Sequence, residues 1–105
     1  MVKEVNDEKA FWFCTESGSV GKMARNLSEF SECLKQVPVN SLEFHLREDK
    51  NDFEAWLKDI MEEPKLAASV KRIKGKSLKG EELKASIHKF AKKVAKPAQS
   101  SALTA

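Results

Sequence analysis

His45 is followed by Asp49 and Asp52, and such a trio is the nearest thing in this chain to an acid–base or metal site. The spacing argues against a metal. His45 and His88 are the only histidines, and neither has a Cys or His partner three or four positions away, as a zinc site on a helix or turn would need. The simpler reading makes Asn51 and Asp52 a helix cap, with His45 hydrogen-bonded to that loop. A nucleophilic cysteine needs an adjacent base and an electropositive setting. Cys14 lies inside the aromatic run FWFCT and Cys33 sits between Glu32 and Leu34, so both read as core thiols. No catalytic, cofactor-binding or metal-ligating residue is assigned, and the chain is expected to be non-enzymatic.

Two segments carry part of a phosphate-loop pattern. GSVGK, residues 18–22, has Glu16 where the pattern needs Gly and Met23 where it needs Ser or Thr. IKGKS has Val70 in place of the first Gly. Both are read as turns. Gly18 and Gly21 also match the GXXG loop of KH domains, but the three-stranded sheet of that fold has no counterpart in the pattern.

The remaining candidate is electrostatic. Residues 1–63 hold eight Lys/Arg against fourteen Asp/Glu, a net of −6. Residues 64–105 hold eleven against two, a net of +9, so the overall +3 conceals a strongly dipolar chain. Lys71, Arg72, Lys74, Lys76 and Lys79 span one helix end and a turn, and Lys89, Lys92 and Lys93 lie on the last helix. These eight are the expected contacts for an acidic protein partner or a polyanion. Weak, non-specific nucleic-acid binding is the alternative, and it would be salt-dependent. Pairing of the two unlike halves, within or between molecules, is the third use of such a split.

The elements that position these residues follow from caps and periodicity. Three Asn-x-x-Glu boxes begin at Asn26, Asn40 and Asn51, each ahead of apolar residues at helical spacing. The first opens a helix with Leu27, Phe30, Leu34 and Val37 on one face, stopped by Pro38. The second opens SLEFHLR, where alternation of Leu42, Phe44 and Leu46 offers a strand as the rival to the favoured helix. The third carries the stripe Phe53, Trp56, Leu57 and Ile60. Pro64 suits the first turn of a further helix that Gly75 can end. A last helix follows Gly80, with Leu83, Ile87, Phe90 and Val94 inward.

The resulting expectation is an all-α fold, a small bundle of four to five short helices with an extended N-terminal segment, residues 10–15, packed across it. Residues 1–9 are expected to be loose, residues 10–96 to form a single domain and residues 97–105 to be a disordered tail. The aromatic residues Phe11, Trp12, Phe13, Phe44, Phe53 and Trp56 must mostly pack together, and one or two left exposed would mark a groove. No apolar run reaches about eighteen residues, so no membrane span is expected. The N-terminal apolar run is too short for a signal peptide and two thiols suit a reducing compartment, so the expected location is the cytoplasm.

Three elements together have a family look: FWFCT, the Ser-hydrophobic-x-Phe-His run Ser41–His45, and the Asn-Asp-Phe-x-x-Trp run Asn51–Trp56. Leu66 and Ala67 open the next helix in the same pattern. Over residues 10–90 the chain resembles a small domain family of unknown function from archaea and some bacteria, sometimes an accessory segment beside sugar-metabolising enzymes. The resemblance implies a helical domain and no activity, and it leaves the basic C-terminal end unexplained.

Overall fold

The computed structural model describes residues 4–104, with side chains described through Ala95. The expected tail, residues 97–105, falls outside the described side chains. Two strands lead: β1, Phe11–Thr15, and β2, Gly18–Ala24. Five helices follow: α1 Leu27–Gln36, α2 Val39–His45, α3 Asp52–Ala55, α4 Pro64–Gly75 and α5 Gly80–Thr104. A π-helical turn, Trp56–Ile60, continues α3.

The expectation of an all-α bundle is therefore corrected: the chain is an α/β fold, with helices packed around an antiparallel hairpin. The extended segment at residues 10–15 is the first strand of that hairpin, and GSVGK, read as a turn, is most of the second. β1 alternates as a strand must, with Phe11 and Phe13 buried and Trp12 exposed. β2 is harder to read because Gly18 and Gly21 interrupt it. The register explains them: Phe13 pairs with Lys22 but Cys14 pairs with Ser19, so β2 bulges at Val20 and Gly21. Gly21 has φ +79°, which glycine adopts without a Cβ clash.

Two of the three Asn boxes are caps. Asn26 Oδ1 accepts from Glu29 N at 2.8 Å, and Asn51 Oδ1 accepts from Glu54 N at 3.0 Å. Asn40 is not a cap. The segment around it is a helix, as favoured, but it starts two residues earlier, at Val39, with Pro38 at the N-cap. Its Glu43 is used elsewhere, accepting the Gly80 N–H at the start of α5 at 3.0 Å.

The core is one cluster with an aromatic centre. Phe11, Phe13, Phe30, Phe53 and Trp56 bring rings from β1, α1 and the α3 turn within 4.8–6.2 Å of one another. Leu34, Leu42, Leu57, Val70, Ile87 and Val94 continue it between the helices. Polar links fix the layers. Ser31 Oγ on α1 donates to Ala91 O on α5 at 2.7 Å, inside the core. Trp56 Nε1 donates to Lys9 O at 2.8 Å and so ties the turn at residues 6–9 to the core.

Trp56 thus acts through both its ring and its N–H. Trp56→Ala should lower unfolding free energy by about 3–5 kcal/mol in urea titrations, the usual cost of truncating a buried aromatic. Trp56→Phe keeps most of the ring packing and should cost only about 1 kcal/mol, from the orphaned Lys9 carbonyl. Equal losses for both variants would show that the hydrogen bond, not the ring, dominates.

Candidate functional site

Two places gather chemistry-bearing side chains: the buried His45 and a basic groove between α4 and α5. At the first, α2 places Ser41 and His45 one turn apart on the same face, toward β1. Ser41 Oγ donates to Cys14 O at 2.8 Å, and Cys14 N donates to His45 Nε2 at 2.9 Å. Both backbone groups of one strand residue are therefore taken by two side chains of one helix. Because Nε2 accepts, the proton lies on Nδ1, which donates to Asp52 Oδ2 at 2.9 Å. Asp52 is held there by the α3 start that Asn51 caps.

The imidazole is 4 % exposed and ringed by Phe11, Phe13, Phe44 and Phe53 at 4.8–6.1 Å. Burial pushes its pKa below the ordinary value; the Asp52 hydrogen bond and charge oppose this, and the Arg47 guanidinium adds to it. The ring is neutral, with both nitrogens engaged. This arrangement holds β1, α2 and α3 together and leaves no ring nitrogen directed at a substrate. Asp49, the third member of the sequence trio, is exposed, and among the described residues no three His, Cys, Asp or Glu side chains are grouped to hold a metal ion. Cys33 is buried, and burial foremost pushes its thiol pKa up, with Glu29 and Glu32 adding to the effect and Lys22 opposing it. Cys14 is a free thiol whose Sγ reaches Trp12 O at 3.6 Å.

The eight basic residues singled out in the sequence do not share one face. Lys74 is turned inward, where its ammonium donates to Leu46 O at 2.6 Å and Glu48 O at 2.7 Å. It braces the turn after α2, in which Glu48 has φ +50°. Lys79 lines a separate cleft with Glu43 and Glu48, and Lys71 and Lys92 are exposed outside both clefts. Arg72, Lys76, Lys89 and Lys93 do converge. With Ser69, Ile73, Ser86 and Phe90 they line a groove of about 340 Å³ between α4 and α5, and no acidic side chain lines it.

The chain read in order shows no internal repeat, but the lining exposes a short one. Ser69–Lys76 is SVKRIKGK and Ser86–Lys93 is SIHKFAKK. Each places a Ser, a first cation, an apolar residue and a second cation at i, i+3, i+4 and i+7, one face over two turns. Superposing the two helices on their inward apolar positions, Val70 with Ile87 and Ile73 with Phe90, would have found it.

A family model described as Family of unknown function (DUF5752) matches residues 1–92, and the chain belongs to that family. No curated protein and no solved structure matches the chain. Among the described residues, no helix is long and apolar enough to cross a membrane.

The His45 site predicts a pH dependence. The folded-state pKa lies below the unfolded value of about 6.5, so as pH drops the folded protein takes up its proton later than the unfolded chain does. Its contribution is fully present above about pH 6.5 and is lost as pH falls through the lowered folded value. Urea titrations from pH 8 to pH 5 should show falling stability, and His45→Gln should flatten that part of the profile. A wild-type profile flat across this range would contradict the buried neutral ring.

Proposed function

We propose that this chain is a non-enzymatic accessory domain that binds an acidic protein partner in the groove between α4 and α5. The observation that carries the reading is the convergence of Arg72, Lys76, Lys89 and Lys93 on one groove with no acid in its lining. Among the described residues these cations form no ion pair; the one side-chain hydrogen bond given by any of them runs from Arg72 Nη2 to Ser69 Oγ at 3.2 Å. Four like charges held together in one concavity focus a positive potential there and draw in anions.

The non-enzymatic part of the reading is supported at His45, whose ring nitrogens are both committed to protein partners. A nucleic-acid ligand is less well served. The groove offers a single Arg, and its one aromatic, Phe90, is 2 % exposed and cannot stack on a base. The free thiols Cys14 and Cys33 suit a cytoplasmic setting.

The test is titration of the full chain with poly-L-glutamate and, in parallel, with single-stranded DNA, each at low and high salt. The reading expects poly-L-glutamate to bind at low salt, to be released as salt rises, and to be lost in the Arg72→Glu/Lys89→Glu variant while circular dichroism stays unchanged. Tighter binding of the DNA would assign the groove to nucleic acid instead. A salt-sensitive dimer in sedimentation, abolished by the same variant, would assign it to self-association.

A further inference from the structure

The matched octapeptides on α4 and α5 do more than concentrate charge; they set the spacing and the two-sidedness of the anions that fit. Arg72 and Lys76 form one wall, Lys89 and Lys93 the other. Along each wall the cations are four residues apart, a rise of roughly 6 Å on a helix. We infer that the partner enters as an extended run of consecutive acidic residues, alternate carboxylates pairing with the α4 wall and the intervening ones with the α5 wall. This rests on the acidic-partner reading above and specifies the conformation and sequence pattern of the segment that binds.

An extended chain repeats its same-side side chains every ~6.6–6.8 Å and sends successive ones to opposite sides. Both properties match the groove: the repeat is close to the backbone rise between the two cations of a wall, and the alternation serves two walls at once. A docked helix also repeats at roughly 6 Å, over one turn, but it presents those residues on one side and relies on an apolar stripe for its affinity. The groove gives such a stripe little to bury. Its floor is Ile73, half-buried, and Phe90, already covered by the core. The one large apolar side chain left exposed among the described residues is Trp12, on β1 and outside this groove. Ser69 and Ser86 complete the lining. A serine hydroxyl that accepts from Arg72 still has a hydrogen to donate, so Ser69 can add a bond to a carboxylate without giving up its present one.

The experiment compares two labelled peptides of equal length and equal charge, titrated by fluorescence anisotropy at low salt against the full chain. One carries four consecutive glutamates within glycines; the other alternates four glutamates with glycine, so that in extended form all its acids face one wall. The inference expects the consecutive peptide to bind at least about fivefold tighter, and expects Lys89→Gln/Lys93→Gln, which neutralises one wall, to remove that preference while the alternating peptide keeps its affinity. Equal affinities for the two peptides, both lost in Arg72→Glu/Lys89→Glu, would overturn the extended two-wall arrangement and leave the acidic-partner reading standing. Binding of neither peptide by the folded wild type would overturn both.

Discussion

A two-stranded hairpin is not stable alone in water, and its outer edge presents unpaired backbone groups. Here a helix covers that edge at Cys14. Ser41 and His45, one turn apart on α2, take the carbonyl and the N–H of Cys14 as a neighbouring strand would. The consequence is geometric. With α2 pinned to β1, Phe11 and Phe13 are held facing inward, and the rings of Phe30, Phe53 and Trp56 pack against them. Asp52 sets the tautomer that makes Nε2 an acceptor, so the start of α3 is part of the same device. His45 and Asp52, two of the three residues with the most catalytic look in the sequence, are thus engaged with each other and with β1.

The helices were legible because their signals are local. Apolar spacing and caps at Asn26 and Asn51 mark α1 and α3 directly. The hairpin was only half legible. β1 carries its alternation openly, but β2 has two glycines and one β-branched residue, Val20, and its register jumps by a bulge, so no period-2 pattern survives. A strand of that kind is specified by what it pairs with rather than by its own composition. The Asn40 box misled for a related reason. Pro38 starts the helix earlier, and Glu43 satisfies the N–H of Gly80, thirty-seven residues on, a partner that no local rule can name.

The electrostatic reading was legible in bulk but not in detail. The −6 and +9 halves are plain in the sequence. Which cations act together depends on helix packing: Lys74 is withdrawn to brace the turn at Glu48, while Arg72 and Lys76 are brought opposite Lys89 and Lys93. The same inward positions that build the core, Val70 and Ile87, set the phase that puts those cations on one groove. Core and surface are therefore two faces of a single helical register.

The joint between β1, α2 and α3 depends most on His45 being a neutral structural clamp, and the imidazole nitrogens report this directly. Long-range proton–nitrogen NMR at neutral pH should show Nδ1 protonated and Nε2 unprotonated, with the Cys14 amide among the slowly exchanging hydrogens of β1. An imidazolium at neutral pH, or a ring protonated on Nε2 with a rapidly exchanging Cys14 amide, would contradict the account and return His45 to the list of groups available for chemistry.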